Sequence, residues 1–243
     1  MRIELFIITY NEEKMIRHTL NYYGDFCDAI TVWDNESTDN TRDIIAKEFP
    51  HVKIVVWKSN QTINDQHYLN IKNYCWKQST ADWVIVADCD EFLYHPNLFI
   101  QLGEFKDDGI TIPVVQGYNM FSEKFPDKYN ESITDQVREG VPAAHFNKNI
   151  IFAPKYVKEI NYQPGAHSCK PTGPKIVSSP SVFLKLLHYK YMSKDYVVAK
   201  HEAYASRLSS FNKENGYGAE YLKGDAFVEE CFELLRKHKT KVI

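Results

Sequence analysis

The amino-acid sequence predicts an α/β protein. We expect a mostly parallel, Rossmann-like central sheet flanked by helices, with a second, smaller sheet and C-terminal helices. The first observation behind this is that short apolar runs alternate with segments of helical periodicity through the first hundred of the 243 residues. The second is that a polar segment follows each apolar run, and the third is that six prolines from position 142 onward break the later chain into short pieces. Such alternation favours right-handed crossovers and a parallel sheet covered on both faces.

The first hundred residues contain four predicted strands, each followed by a helix or a polar turn. The strands are IELFIIT (3–9), AITVWDN (29–35), VKIVVW (52–57) and DWVIVAD (82–88). Three helices are expected between them because apolar residues recur at spacings of three and four. Their apolar positions are Ile16, Leu20 and Tyr23; then Thr41, Ile44, Ile45 and Phe49; then Tyr68, Ile71 and Cys75. Ser37 or Thr38 is expected to cap the second helix, and the third is expected to span about 65–79.

The remainder of the chain predicts the second sheet and the C-terminal helices. GITIPVVQGYNMF (109–121) indicates a strand pair or a bend, and NIIF (149–152) indicates a further strand. A charged helix is expected from Ser193 through Leu208. A last helix is expected over about 225–237, with Phe227, Cys231 and Leu234 on its apolar face. No internal repeat or linker divides the sequence, so residues 1–243 are expected to form one domain.

The composition of the chain argues against several classes of function. A net charge of −3 and a pI near 6.3 provide no basic field of the kind that nucleic acid attracts, so no nucleic-acid partner is expected. No stretch has the eighteen or so apolar residues of a spanning helix, which favours a cytoplasmic protein. Five widely spaced cysteines without a C-x-x-C pair indicate reduced thiols rather than structural zinc.

The polar segments TYNEE, DNESTDNT, SNQTIND and DCDEF follow the four strands in turn. In a parallel sheet these loops converge at the carboxyl edge, where ligands bind. Asp88, Asp90 and Glu91 are the most informative of these residues. Two carboxylates about 4 Å apart repel by roughly 4 kcal/mol at an effective dielectric of 20, so a positive partner is expected beside them. Such oxygen ligands suit Mg²⁺ or Mn²⁺ holding a diphosphate. The alternative is a solvated acidic turn that leads into a helix near Pro96.

Three motifs resemble the nucleotide-binding half of family 2 glycosyltransferases, which have the GT-A fold. They are TYNEE (9–13), DNESTDNT (34–41) and DWVIVADCDEF (82–92), in the family's order and at strand ends. FNKNIIFAP, PGAHS and LLHYKYMS are similar to bacterial relatives from polysaccharide clusters. The resemblance implies a nucleotide-diphosphate sugar donor, Mn²⁺ or Mg²⁺ as cofactor and transfer with inversion. It assigns 1–100 to the donor and 101–243 to the acceptor.

Individual roles follow from the matching positions. Around the nucleoside the resemblance places Thr9, Tyr10, Asn11, Glu12, Asp34 and Asp65. Asp65 has the alternative role of a helix N-cap. Asp88 is expected towards the ribose and the metal, Asp90 as the principal metal ligand, and Glu91 as an orienting group or an acceptor contact.

Two histidines and a lysine complete the expected site. His188, which leaves an apolar strand as Asp88 does, is the candidate third metal ligand, and His167 in PGAHS is expected to line the diphosphate or acceptor pocket. Either histidine has the alternative of an ordinary hydrogen-bonded side chain. Lys148, ahead of Lys170 and Arg207, is the candidate contact to the donor phosphates.

Inverting transfer requires a carboxylate that takes the proton of the attacking hydroxyl. The segment KYNESITDQVREGVP (128–142) offers Asp135 and Glu139, with Glu131 beside them. The sequence lacks the family's acidic pair followed by Q-x-x-R-W, so the base is not identified by a motif. The alternative is that both residues lie on a solvated loop.

The expected function is therefore metal-dependent transfer of a sugar to a glycan or a lipid-linked acceptor, with peripheral membrane association at the inner membrane face for the latter. The alternatives are a Mg²⁺-dependent phosphatase, a nucleotidyltransferase and a non-catalytic sugar-binding domain. A phosphatase of the haloacid dehalogenase type carries its D-x-D after the first strand, and a nucleotidyltransferase needs a glycine-rich loop there. ITYNEE contains no glycine.

Overall fold

The computed structural model describes all residues from 1 to 243 and contains ten strands and eight α-helices. The strands are β1 Ile3–Thr9, β2 Ala29–Asp34, β3 Lys53–Val56, β4 Trp83–Asp88, β5 Glu91–Tyr94, β6 Val115–Phe121, β7 Glu139–Pro142, β8 Ile151–Phe152, β9 Leu184–Tyr191 and β10 Thr240–Lys241. The helices are α1 Ile16–Gly24, α2 Thr41–Glu48, α3 Asp65–Tyr74, α4 Leu98–Asp107, α5 Ile133–Gln136, α6 Lys194–Arg207, α7 Ser210–Glu214 and α8 Gly224–His238.

The first sheet has the strand order β3-β2-β1-β4-β8 and is parallel except for β8. Along β1, Leu5 and Ile7 belong to the larger hydrophobic cluster, whereas Phe6 belongs to a smaller cluster on the opposite face. Because both faces of the sheet are covered, the strand reads as a continuous apolar run. The predicted α/β architecture and all four early strands are confirmed.

The second sheet has the order β10-β7-β6-β9-β5. β6 and β9 are parallel, and the other pairs are antiparallel. Only Cys89 and Asp90 separate the end of β4 in the first sheet from the start of β5 in the second. The acidic motif is therefore the point at which the chain crosses from one sheet to the other.

Some predicted elements differ in their bounds. α3 ends at Tyr74, earlier than predicted. Neither Ser37 nor Thr38 caps α2, because both side chains accept hydrogen bonds from Asn11 in the neighbouring loop. The helix begins at Thr41 instead, whose backbone N–H donates to Asp39 Oδ1 at 2.9 Å.

The last helix is present, but its buried face differs from the predicted one. α8 buries Val228, Phe232 and Leu235, while Leu234 of the predicted face is 54% exposed. The two faces have the same spacing and are offset by one residue, so periodicity alone does not choose between them. β5, β7 and α4 were not predicted. None of the helices combines the length and hydropathy that a bilayer-spanning segment needs.

Candidate active site

A cleft of about 470 Å³ opens where β1 and β4 end, at the carboxyl edge of the parallel sheet. One wall comes from the loop after β1 and from the β4–β5 joint. The opposite wall comes from β9, from α6 and from residues 208–223, a segment that we call the strap. The strap contains α7 and a 3₁₀ turn over Ala219–Leu222. The cleft therefore lies where the fold class predicts a ligand.

Two of the three carboxylates of the acidic turn are buried, and backbone hydrogen bonds fix the turn. Glu91 is fully buried, and its Oε2 accepts from the backbone N–H of Asp88 at 3.1 Å. Asp90 is also buried, and its carbonyl accepts from the N–H of Tyr189 in β9 at 2.8 Å. The backbone thus holds three carboxylates at one end of the cleft.

Lysines from other elements neutralise these carboxylates. Lys72 of α3 donates to Asp88 Oδ2 at 2.8 Å, and Lys148, which precedes β8, donates to Glu91 Oε1. Lys148 Nζ also lies 3.9 Å from Asp88 Oδ2. Burial by itself would raise the pKa of Glu91, but Lys148 and Lys72 more than offset it and the pKa is lowered. The protein itself therefore supplies part of the positive charge that balances the acidic turn, through Lys72 and Lys148.

A third lysine joins the loop after β1 to the acidic turn. Lys200 of α6 donates to Glu12 Oε1 at 2.7 Å and lies 3.5 Å from Asp90 Oδ2. Burial raises the pKa of Glu12 to about 7 against the opposing charge of Lys200. Burial alone would lower the pKa of Lys200, yet Glu12 and neighbouring groups raise it well above its usual value. Glu12 is thus held within the site as the partner of a lysine.

The expected metal ligands face one another without closing on a common point. His188 Nε2 lies 3.7 Å from Asp90 Oδ2, and His188 Nδ1 lies 3.0 Å from Asn119 Oδ1. A hydrogen bond from Nδ1–H to Asn119 leaves the lone pair on Nε2, as metal-binding histidines require. Burial lowers the pKa of His188 to about 4, so the imidazole is neutral at pH 7.

Two carboxylates and one neutral imidazole suit Mg²⁺ or Mn²⁺ chemically. No group of three His, Cys, Asp or Glu side chains in the structure is close enough to hold a metal ion. Burial would raise the pKa of Asp90, but Lys200 and His188 lower it on balance, which keeps the carboxylate ionised. Asp88, Asp90 and His188 therefore fit such an ion by their chemistry.

The other end of the cleft contains the residues predicted around the nucleoside. Thr9, Tyr10 and Asp65 line it, and the buried Oγ1 of Thr9 has no hydrogen-bond partner. The guanidinium of Arg207 lies 3.2 Å from the centre of the Tyr10 ring. Asp65 exchanges two hydrogen bonds with Asn212 of the strap, at 2.8 and 2.9 Å. Asp65 does not cap α3, because Asn64 does so.

Asn11 and Asp34 do not line the cleft. Asn11 has a φ of 51°, and its side-chain oxygen accepts from the backbone of Thr38 at 2.7 Å. Asp34 is fully buried and accepts from the backbone N–H of Ser37 at 2.9 Å, while its Oδ2 has no partner. In the structure both side chains shape the loops that carry Thr9 and Tyr10, and their expected contact to a nucleoside stays a prediction.

Of the other predicted site residues, some line the cleft and some do not. His167 lines the cleft, and its Nδ1 lies 2.9 Å from the carbonyl oxygen of His145. Lys148 and Glu91 line it as partners of each other. Asp135 and Glu139 do not line it.

The expectation that Asp135 or Glu139 is the catalytic base is therefore corrected. The Asp135 side chain is 63% exposed and paired with Arg138, and the Glu139 side chain is 52% exposed and paired with Lys239. Both carboxylates are bound to surface cations away from the cleft. The physical reason is that the chain after α5 turns into β7, on the far side of β6 from β9.

Several lining residues were missed by the sequence reasoning. They are Tyr68, Lys72, Lys190, Lys200, His201, Tyr204, Asn212, Tyr217, Glu220 and Tyr221. A signal was present for some of them, because Lys72 follows the buried Leu69 by three positions on α3, and Lys200 and His201 follow the buried Val197 on α6. A polar residue on the apolar face of a helix is either paired or functional. No comparable signal marks the strap.

A family model described as Glycosyl transferase family 2 matches residues 4–169, which is more than half of the chain. The SPbeta prophage-derived glycosyltransferase SunS of Bacillus subtilis (strain 168) is 37% identical over 91 residues, covering 37% of this chain and 20% of SunS. An uncharacterized glycosyltransferase of Rickettsia typhi is 34% identical over 92 residues, covering 38% of this chain and 29% of the relative. The matched segment thus spans less than a third of these curated relatives.

Among solved structures, TarS of S. aureus aligns with a TM-score of 0.50 and 16% identity, covering 91% of this chain and 43% of TarS. At that identity the likeness concerns the fold alone. It agrees with the predicted α/β fold, in which a second sheet lies beside the mostly parallel one; that second sheet has five strands, as many as the first, and is not smaller as predicted.

Proposed function

This chain belongs to the Glycosyl transferase family 2, and from that premise we propose that it transfers a sugar from a nucleotide-diphosphate donor to a hydroxyl group of an acceptor. The observation that carries the proposal is the position of Asp88 and Asp90. They lie at the joint between the two sheets and line the same cleft as Thr9 and Tyr10. A donor that spans this cleft would place its nucleoside beside Tyr10 and its diphosphate beside the acidic turn.

In this proposal Asp88, Asp90 and His188 hold Mn²⁺ or Mg²⁺. Such an ion, when bound, neutralises the charge that develops on the departing diphosphate. Asn119 keeps His188 in the tautomer that presents Nε2 to the site. Lys72 and Lys148 hold Asp88 and Glu91 in place by charge and hydrogen bonding.

The nucleoside end supplies binding groups. The unpartnered hydroxyl of Thr9 is available to the nucleoside, and Tyr10 offers a ring that is already stacked on one side by Arg207. Asp65 is held by Asn212, which ties this end of the site to the strap. Binding of a nucleotide would therefore depend on the strap as well as on the family's own motifs.

The proposal extends to inversion, which the family resemblance implies, and to a glycan or a lipid-linked sugar as acceptor in surface polysaccharide or glycan assembly. The segments FNKNIIFAP and LLHYKYMS, with their likeness to relatives from polysaccharide clusters, support this choice. The proposed location is cytoplasmic. A lipid-linked acceptor would bring the protein to the inner face of the membrane.

Thermal unfolding with UDP or GDP, with and without MnCl₂, tests the donor and the metal together. We expect one nucleotide to raise Tm when Mn²⁺ is present, because a ligand that binds only the folded state stabilises it. The shift should be lost in Asp90→Asn, which removes the charge without changing the shape. Asp43→Asn is the matched control, because the side chain of Asp43 is 72% exposed on α2.

Donor turnover completes the test. Release of UDP or GDP from UDP-glucose, UDP-N-acetylglucosamine or GDP-mannose should require Mn²⁺ or Mg²⁺ and should fall at least a hundredfold in Asp90→Asn. Phosphate release from p-nitrophenyl phosphate, together with no nucleotide-induced shift in Tm, would overturn the proposal in favour of a phosphatase.

A further inference from the structure

Six carboxylates line the cleft, and five of them are engaged by other groups of the chain. Glu12 and Asp90 are beside Lys200, Asp88 is bound by Lys72, Glu91 by Lys148 and Asp65 by Asn212. The sixth, Glu220, lies in the 3₁₀ turn of the strap, and its side chain makes no hydrogen bond or ion pair. Glu220 is therefore the one carboxylate of the cleft that is free to accept a proton or a hydrogen bond from a ligand.

The lysines and histidines of the cleft show the same division. Lys72, Lys148 and Lys200 are paired with carboxylates, whereas Lys190 of β9 lines the cleft without an ion pair. Two of the three histidines in the cleft also have partners. Nδ1 of His167 is hydrogen-bonded to the carbonyl of His145, and Nδ1 of His188 to the side chain of Asn119.

His201 of α6 is only 5% exposed, and neither of its ring nitrogens has a partner. A buried polar group without a hydrogen bond costs about 1–3 kcal/mol. Such an imidazole in a cleft wall points to a group that a ligand supplies. Burial lowers the pKa of His201 to about 4, so the ring is neutral and has one donor and one acceptor nitrogen at pH 7.

Two of these three unengaged groups lie against the ring of Tyr221, and the third, Glu220, immediately precedes Tyr221 in the strap. Tyr221 meets His201 edge-on at 5.2 Å and Tyr204 at 5.0 Å between ring centroids. Lys190 Nζ lies 5.7 Å from the centre of the Tyr221 ring, and Glu220 is its neighbour in sequence. One end of the cleft thus combines an ammonium donor, a carboxylate acceptor, a neutral imidazole and aromatic surface.

We propose that Lys190, His201, Glu220 and Tyr221 form the acceptor subsite for a sugar ring, and that Glu220 takes the proton of the attacking hydroxyl. The inference rests on the proposed function. Adjacent hydroxyls of a sugar donate and accept in alternation, which matches the mixture of donors and acceptors here. Charged groups alone would suit an anion, but Glu220 beside Lys190 disfavours one.

The reaction step balances without a further reactant. The acceptor O–H bond breaks and its proton passes to Glu220, while the oxygen forms a bond to C1 of the donor sugar. The bond from C1 to the diphosphate oxygen breaks, and the electron pair leaves with the nucleoside diphosphate. Attack on the side opposite the leaving group inverts C1.

All four residues lie beyond position 169, where the match to the family model ends. The donor motifs lie within the matched segment. Acceptor choice is therefore made by β9, α6 and the strap, which the family model does not describe.

The test separates acceptor binding from donor binding. Methyl and p-nitrophenyl glycosides of neutral hexoses and N-acetylhexosamines are the acceptor probes, and their binding to protein saturated with Mn²⁺ and UDP or GDP is measured by saturation-transfer NMR. Sugar transfer to the same glycosides is followed with UDP-glucose, UDP-N-acetylglucosamine and GDP-mannose.

We expect Glu220→Gln to keep the nucleotide-induced Tm shift and glycoside binding but to lower kcat for transfer by a hundredfold or more. Lys190→Met and His201→Ala should weaken glycoside binding at least tenfold with the nucleotide shift unchanged. Glu214→Gln is the matched control, because Glu214 is an exposed glutamate of the same strap that does not line the cleft.

Three results would overturn the inference. They are transfer at the wild-type rate in Glu220→Gln, glycoside binding that is unchanged in Lys190→Met and His201→Ala, and a wild-type complex that binds no glycoside of the panel. Failure of every nucleotide to shift Tm in the wild type would instead overturn the proposed function.

Discussion

Three lysines from three separate parts of the chain meet the acidic turn that ends β4. Lys72, Lys148 and Lys200 are distant in sequence from Asp88 and Asp90. The repulsion among the carboxylates predicts that positive charge lies nearby, and these three lysines provide part of that charge. Burial would raise the pKa of Asp90, but Lys200 and His188 lower it on balance, so this carboxylate is ionised, as a divalent cation requires.

Another residue-scale feature is the glycine that makes room for the aromatic wall of the cleft. Gly117 of β6 lies so close to Phe146 that a Cβ built on it would be 2.4 Å from Phe146 backbone and side-chain atoms. Phe146 in turn packs against His188, with ring centroids 4.0 Å apart and ring planes tilted by 33°. Any side chain at position 117 would therefore displace the ring that supports His188.

Gly117→Ala should lower the free energy of unfolding by about 1–3 kcal/mol, the usual cost of overpacking, and should weaken Mn²⁺-dependent nucleotide binding. Urea unfolding and the Tm shift measure the two effects. Gly103→Ala in α4 is the matched control: nothing lies within 4 Å of its added Cβ, and alanine in a helix should stabilise by about 0.5–1 kcal/mol. Equal effects of the two substitutions would contradict the packing argument.

At the scale of elements, the strap is tied to the donor half of the site by specific contacts. Ile63 and Leu208 form an isolated parallel bridge, and Asn212, only 1% exposed, exchanges two hydrogen bonds with Asp65. Arg207, at the end of α6, donates to the side chain of Asn35 at 2.8 Å. The strap and the end of α6 are therefore bonded to segments that lie far earlier in the chain, 147 residues away for Asp65 and 172 for Asn35.

Asn212→Ala should loosen the strap, because Asp65 loses two hydrogen bonds to Asn212, one made by its backbone N–H and one by its carboxylate. A loss of about 2 kcal/mol in closing free energy corresponds to roughly thirtyfold faster tryptic cleavage after Lys213, where cleavage follows the open population. Asn215→Ala is the control. The side chain of Asn215 is exposed and bonds only to the carbonyl of Phe211 within the strap, so tryptic cleavage of this variant should stay within about twofold of the wild-type rate. Similar rates for both variants would show that the Asp65 contact does not hold the strap.

At the scale of the whole molecule, the two sheets meet through a buried ion pair. Glu91 opens β5 in the second sheet, and Lys148 precedes β8 in the first; their side chains are 1% and 3% exposed. Removing one partner of a buried pair is costly because the other charge remains without compensation. The pair therefore contributes to the register between the sheets as well as to the site.

Lys148→Met should lower the free energy of unfolding in urea at pH 7 by about 3–5 kcal/mol. The double variant Lys148→Met with Glu91→Gln should recover part of that loss, since it removes the stranded charge. Arg236→Met breaks a surface pair with Glu123, both about half exposed, and should cost under about 1 kcal/mol. A Lys148→Met effect no larger than that of Arg236→Met would refute the role of the buried pair.

The donor half was largely predictable from the sequence. Its four strands, the convergence of their loops and the grouping of Thr9, Tyr10, Asp88 and Asp90 follow from local rules, since apolar runs, helical periodicity and parallel connections act over short distances. His188 and His167, which were also predicted for the site, line the cleft in the structure. β5 was not predicted, because four residues directly after an acidic turn carry too little periodicity to identify a strand.

The family, the α/β architecture and the position of the acidic motif at a strand end could all be inferred from the amino-acid sequence. The lysines that neutralise this motif and the buried face of α8 became visible only in the folded chain. The same is true of the surface position of Asp135 and Glu139 and of the cleft position of Lys190, His201 and Glu220. The physical reason is that periodicity and turn chemistry describe neighbours along the chain. Burial and charge pairing depend on residues that are distant in sequence and meet only when the two sheets and the strap pack together.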